Sequence, residues 1–251
     1  MQSSWATVVS LMFGRAKGKR PPSPFHLALE ALIREGGMVN VLQVGANDGV
    51  INDPLHPFLR AHPDRTQVIL IEPQAELIPV LAQAYAFHPR KAILQLAVGS
   101  AGALVLHQVR KDCWPDLVVP YARNWPIYRA PTGVTSGRRE TLLAWVKQHY
   151  RGSLPLDEVI ETVEVEAVTS TEALTRASLF DRLDVLQIDV EGCDDLVIRA
   201  SDIAGLKPRL INFEAAHLGP ERYASIRAEL EGLGYRIERY GLDCLARRSA
   251  A

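Results

Sequence analysis

Residues 41–50 read V-L-Q-V-G-A-N-D-G-V. An apolar run gives way to Gly45 and, four residues on, to Gly49, with Asn47 and Asp48 between them. In an open parallel sheet, ligands sit beyond the carboxyl ends of the strands, where such a turn lies. No G-K-[ST] closes the turn as in a phosphate loop, and it lacks the third glycine of the dinucleotide pattern G-x-G-x-x-G. Asp48 would repel a pyrophosphate. The stretch predicts a ligand with a nucleoside, no phosphate and an ammonium to satisfy.

Working outward, apolar spacing predicts a helix over 25–35 that stops at Gly36-Gly37. Val39 to Val44 is a buried strand, Leu55 to Ala61 a short helix opened by Pro54, and Gln67 to Ile71 a second strand ending at Glu72-Pro73. A helix over 74–87 and a strand from Ala92 to Val98 complete β-α-β-α-β, the order of a parallel sheet covered on both faces. The alternation then breaks. Leu104 to Val109 reads as an extra strand, 110–136 as irregular, 138–150 as an amphipathic helix and Val159 to Val168 as another strand. Regularity returns with a strand from Leu183 to Val190, a helix from about Asp194, a strand from Pro208 to Phe213 and a helix over 220–231. Tyr235 to Tyr240 and Cys244 to Arg247 are so closely linked that they must form a hairpin. The predicted fold is α/β, Rossmann-like: seven mostly parallel strands, an antiparallel last strand and an insert after the third.

Composition narrows the class. The chain has 251 residues, nearly half of them apolar, which suits one decorated α/β domain over 25–251. A net charge of −1 gives no electrostatic case for a nucleic-acid partner. Cys113, Cys193 and Cys244 form no C-x-x-C pair, which fits a reducing, cytoplasmic setting. No apolar run approaches the roughly 18 residues of a membrane span. Residues 1–24 are an apolar and basic extension: Trp5 to Phe13, then Arg15, Lys17, Lys19 and Arg20. The charge follows the apolar part, the reverse of a signal peptide. A frayed helix with a basic linker, a weak membrane-surface or partner-docking helix, and a homodimer contact all stay open.

Glu72 ends the second strand, where a ribose-binding carboxylate belongs. S-adenosylmethionine answers this description of a ligand. V-L-Q-V-G-A-N-D-G, I-L-I-E-P, L-Q-I-D-V-E-G and I-N-F-E-A-A-H-L, in this order, resemble the FkbM family of class I S-adenosylmethionine-dependent methyltransferases. The resemblance covers roughly residues 38–248. It implies O-methylation of a hydroxyl on a sugar, glycan, polyketide-like or other small-molecule acceptor. The candidate cofactor residues are Gln43, Gly45, Ala46, Asn47, Gly49, Asp53, Glu72, Ala97 and Asp189. Gln43 departs from the pattern, because the class usually has an acid there. Asp48 or Asp53 would then supply the charge for the methionine ammonium.

Methyl transfer needs an acceptor oxygen about 3–3.5 Å from the methyl and a base for its proton. The candidate catalytic residues are His217, Asp189, Glu191 and Glu214. Asp189 and Glu191 share a face of one strand end, and Glu214 and His217 follow the next strand. His217 is the first choice, because histidine titrates near neutrality. The acids also suit capping of the helix after Gly192. A divalent metal is not favoured; were one present, Asp189, Glu214 and His217 would hold it. The insert, about 110–160, is the candidate acceptor lid. Trp114, Tyr121, Trp125, Tyr128, Trp145 and Tyr150 either stack on the acceptor or anchor the insert, and Arg138 and Arg139 would meet an anionic one. An NAD(P)-dependent oxidoreductase and a catalytically silent nucleoside-binding module are the competing readings.

Overall fold

The computed structural model of the protein describes residues 21–249. The apolar stretch Trp5 to Phe13 and its basic flank lie outside the described residues. The strands are β1 (Val39–Val44), β2 (Thr66–Ile71), β3 (Lys91–Leu94), β4 (Ala97–Val98), β5 (Gly102–Val109), β6 (Ile160–Val168), β7 (Val185–Ile188), β8 (Leu210–Glu214), β9 (Tyr235–Tyr240) and β10 (Asp243–Arg248). Seven form one sheet in the order β3-β2-β1-β7-β8-β10-β9. β1, β2, β3, β7 and β8 are parallel, and β10 runs antiparallel to both β8 and β9. The fold is the Rossmann-like arrangement expected, with its hairpin at the end of the chain. The order grows from β1 in one direction, then returns to place β7 on its other side. That reversal opens a crevice at the carboxyl ends of β1 and β7.

Strand alternation divides the core between the two faces. Leu42, Val44, Ile69, Ile71, Leu186, Ile188 and Phe213 pack on one face. Val39, Val41, Val68, Leu70, Val185 and Leu210 pack on the other, against Phe25 and Leu29 of the helix Pro24–Glu35. Each such buried side chain contributes about 1.5–3 kcal/mol relative to exposure. Three amides interrupt the second face. Gln43, Gln187 and Asn212 are register partners across β1, β7 and β8. Asn212 Nδ2 donates to Gln187 Oε1 at 2.9 Å, and the Tyr240 hydroxyl donates to Asn212 Oδ1 at 2.6 Å.

Several boundaries differ from the sequence reading. The run Ala92 to Val98 splits: β3 stays in the main sheet, while β4 joins a second sheet of order β4-β6-β5. An apolar run does not reveal which of two sheets receives it. The helix over 74–87 is shorter, a 3₁₀ turn at Ala75–Leu77 and then Ile78–Ala84, because Pro79 fits a helix start and not its interior. Pro57, not Pro54, opens the helix His56–Ala61. The helix Ser170–Ala177 was not expected. Its signal was Thr169, whose hydroxyl caps the helix by accepting from Glu172 N at 3.2 Å.

The insert is a packed unit. Val109, Cys113, Leu142, Trp145, Val146, Tyr150 and Val159 form its own core, around the helix Arg139–His149.

Gly45 fixes how β1 meets β7. Its φ is +81°, and a Cβ there would lie 1.9 Å from the carbonyl oxygen of Asp189. Gly36 has a similar φ of +92° but open space around it. Gly36→Ala should therefore cost only the backbone penalty of about 1–2 kcal/mol. Gly45→Ala adds a backbone clash and should cost clearly more, about 3 kcal/mol or above. Thermal unfolding of the two variants checks this, and equal losses would contradict it.

Candidate active site

A cavity of about 1110 Å³ lies over the carboxyl ends of β1, β2 and β7, closed on its far side by β5 and the insert. Binding pockets usually measure about 300–1,000 Å³, so a nucleoside cofactor and an acceptor fit together.

The loop after β1 builds one end. Gly45 N and Ala46 N both donate to Ile71 O at 3.0 Å, tying the loop to β2. Asn47 is left-handed, with φ 46°, which turns its backbone N–H onto Glu72 Oε2 at 2.8 Å. Glu72 Oε1 accepts from Gln74 N at 3.0 Å and Gln74 Nε2 at 3.1 Å. Three of the carboxylate's roughly four lone-pair sites are thus taken. Burial raises the Glu72 pKa, and these donors oppose the rise. The missing side chains of the two glycines face protein. A Cβ on Gly45 meets Asp189, and one on Gly49 would lie 2.5 Å from Leu81 and 2.6 Å from Tyr85. Ala97 also lines the cavity.

Gln43 and Asp53 line it as a pair. Gln43 Nε2 donates to Asp53 Oδ2 at 2.9 Å, while Gln43 Oε1 is buried without a donor. Asp53 Oδ1 accepts from Leu55 N and His56 N, and burial raises its pKa. Asp48 is placed otherwise. It is 3 % exposed, accepts from Val50 N and Ile51 N, and faces Arg129 Nε at 3.4 Å. Its carboxylate is engaged within the protein, whereas Asp53 lines the cavity beside Gln43. Arg129 belongs to the insert helix Arg129–Thr132 and also donates to Ile51 O at 2.8 Å. Thr132 O accepts from Gln74 Nε2 at 3.1 Å. The insert is latched to the cofactor loop by these contacts, a role sequence alone did not assign to Arg129 or Thr132.

Four acids and His217 gather at the other end. Asp189 opens onto the cavity just past β7. Desolvation by the surrounding cavity walls lifts its pKa to about 6, with Arg129 opposing and Asp53 adding to the rise. Glu191 also borders the cavity, in a left-handed conformation with φ 50°. The Ser136 hydroxyl holds its carbonyl at 2.7 Å. Glu214 and His217 do not line the cavity; they stand behind Glu191. His217 Nε2 is 3.6 Å from both Glu191 Oε2 and Glu214 Oε2. Burial lowers the His217 pKa and raises those of Glu191 and Glu214 well above the usual range, with Asp189 and Asp194 adding to both rises. Asp194, missed as a site residue, is wholly buried behind them, accepts from Glu214 N and has its pKa pushed up to about 8 by desolvation and Asp189. The convergence of metal-ligating atoms falls on Glu191, Glu214 and His217, with Glu191 where the sequence reading had Asp189.

The aromatics had two open readings, stacking on the acceptor or anchoring the insert. None of Trp114, Tyr121, Trp125, Tyr128, Trp145 and Tyr150 lines the cavity. Trp145 and Tyr150 are buried in the insert core, and Trp145 Nε1 donates to the Tyr121 hydroxyl at 2.8 Å. The insert's contribution to the wall is Arg129, Thr132, Gly133, Thr135 and Gly137 to Glu140. Arg139 is paired with Asp157 at 2.6 Å.

Residues 43–237 match the methyltransferase FkbM domain. The chain belongs to the FkbM methyltransferase family. It is an S-adenosylmethionine-dependent methyltransferase, which sets aside the nicotinamide alternative. No curated protein matches this FkbM chain. Among solved structures it is similar to precorrin-6y C5,15-methyltransferase from Geobacter metallireducens, at 10 % identity, 94 % of each chain and TM-score 0.39. The S-adenosylhomocysteine-bound Podospora anserina methyltransferase PaMTH1 shares 8 % identity over 84 % of this chain and 72 % of that one, TM-score 0.40. Aeropyrum pernix fibrillarin with natively bound S-adenosyl-L-methionine shares 11 % over 88 % and 72 %, TM-score 0.40. No helix among the described residues is long and apolar enough to cross a membrane.

The Gln43–Asp53 pair gives a prediction opposite to simple restoration of the commoner acid. Gln43→Glu replaces a hydrogen bond with two facing buried carboxylates. It should lower the unfolding midpoint and should not tighten S-adenosylhomocysteine binding. Thermal shift and calorimetry decide, and tighter binding at unchanged stability would refute the pairing.

Proposed function

We propose that the protein transfers the methyl group of S-adenosylmethionine to a hydroxyl of a sugar, glycan or other small-molecule acceptor. Glu72 takes a ribose hydroxyl on its remaining lone pair. The orphaned Gln43 Oε1 and the Asp53 carboxylate take the methionine ammonium, an acceptor and a charge side by side. The adenosyl part runs past Ala46, Asn47 and Ala97. The acceptor enters between Asp189 and the insert wall at Thr135 and Arg138, so that residues 110–160 bound the acceptor site as a latched cover.

The carrying observation is Asp189. Of the four candidate bases it alone combines an open face on the cavity with a pKa near 6. A base must be ionised to accept the hydroxyl proton, and it works best with a pKa near the working pH. His217, the first choice from sequence, stands behind Glu191 and acts through it. A silent binding module has no use for an acid so placed.

The sign of the pH dependence follows. Asp189 is ionised above about pH 6, so turnover should be flat there and fall about tenfold per unit below it. Asp189→Asn should remove this limb and lower turnover by about 10²–10⁴-fold with stability retained. The assay is mass spectrometry of a panel of sugars and hydroxylated small molecules incubated with methyl-labelled cofactor. Label found only on nitrogen or carbon, or an unchanged rate in Asp189→Asn, would overturn the reading.

A further inference from the structure

We propose that Glu191, Glu214 and His217 bind one divalent transition ion of the Mn²⁺ class at the edge of the cavity. One donor atom from each residue lies within 4.8 Å of the other two, and His217 Nε2 is 3.6 Å from each glutamate's Oε2. Donors around one ion stand about 2.1 Å from it, hence up to about 4.2 Å from each other. The site needs only a small contraction to close on an ion.

The local fold prepares this convergence. Glu191 is held left-handed and Gly192 follows with φ +90°. A Cβ on Gly192 would lie 3.1 Å from His217 Cβ, so the missing side chain lets the loop after β8 seat His217 against the loop after β7. Arg222 fastens the same turn by donating to Gly192 O at 2.9 Å.

Among the described residues, no lysine or arginine is ion-paired with Glu191 or Glu214. Glu214 Oε2 is out of reach of solvent and has no hydrogen-bond donor, and the Glu214 side chain is only 12 % exposed. Among the described residues, the ion pairs recorded for Glu191 and Glu214 are with His217 alone. Arg222 is committed to Asp195 and Gly192 O, and Arg129 to Asp48 and Ile51 O. Two carboxylates this close, with Glu214 largely enclosed, favour a cation or a proton between them. A mixed carboxylate and imidazole set suits Mn²⁺ and its neighbours better than Ca²⁺. Three protein donors leave coordination positions for water or an acceptor oxygen, and Glu191 borders the cavity. The ion's use in methyl transfer rests on the function proposed above; its binding does not.

The test uses the full chain after chelator treatment, without cofactor or acceptor. Mn²⁺ is titrated by calorimetry and followed by pulsed electron paramagnetic resonance. The expected result is one saturable Mn²⁺ per chain with nitrogen coupling from an imidazole. Glu214→Gln and His217→Gln should each weaken binding about tenfold or more, and His217→Gln should lose the nitrogen coupling. No saturable site, no nitrogen coupling in the unmodified chain, or affinities within twofold in folded variants would overturn the site and leave a shared proton there instead. Failure of the methyl-transfer reading would leave this Mn²⁺ titration unchanged, so the two fail separately.

Discussion

Everything at the active end of this protein depends on the approach of two backbones, Gly45 after β1 and Asp189 after β7. Asp189 N donates to Val44 O at 3.0 Å, and only a residue without a side chain fits against the Asp189 carbonyl. That contact carries the β1 loop across to β2, where Gly45 N and Ala46 N meet Ile71 O. It also turns the Asp189 carboxylate outward into the cavity. Cofactor loop and acidic wall are thus two consequences of one packing constraint.

The same constraint explains why the glycine loop could be located from sequence while the reason for its glycines could not. Gly45 and Gly49 suggested backbone brought close to a ligand. In the fold they bring backbone close to Asp189 and to the Leu81–Tyr85 turn, and the side chains that line the cavity beside them are Gln43, Asp53 and Glu72. Strand cores were legible because apolar periodicity is local. The hairpin of β9 and β10 was legible because its turn is too short for anything else. The division of 92–98 between two sheets was not, since partner choice is decided by residues 70 positions away in β6. Nor was the retreat of His217 behind Glu191, which hinges on a left-handed glutamate. The two roles open to the aromatics were inseparable for a similar reason. A side chain that builds the core of an insert has the same composition as one that stacks on a sugar.

Gln43 gains the most from the structure. As a departure from the acidic form it looked like a weakness. Across the sheet it is one of three amides in register, V-L-Q-V, V-L-Q-I and L-I-N-F, on the face otherwise filled by aliphatic side chains. The amide holds Asp53, which sets a carboxyl group beside position 43. Asp48, the more conspicuous acid of the loop, is neutralised by Arg129 and serves to dock the insert. The two acids part ways: Asp53 lines the cavity, and Asp48 docks the insert through Arg129.

The central claim is that one cavity at the Gly45–Asp189 seam holds the cofactor, ribose at Glu72 and methionine end at Gln43 and Asp53. A crystal structure of the protein with S-adenosylhomocysteine tests it most directly. The account predicts a ribose hydroxyl within hydrogen-bonding distance of Glu72, the ammonium between Gln43 Oε1 and Asp53, and the sulfur directed toward Asp189. A nucleoside bound elsewhere, or bound here with its ribose away from Glu72, would contradict it.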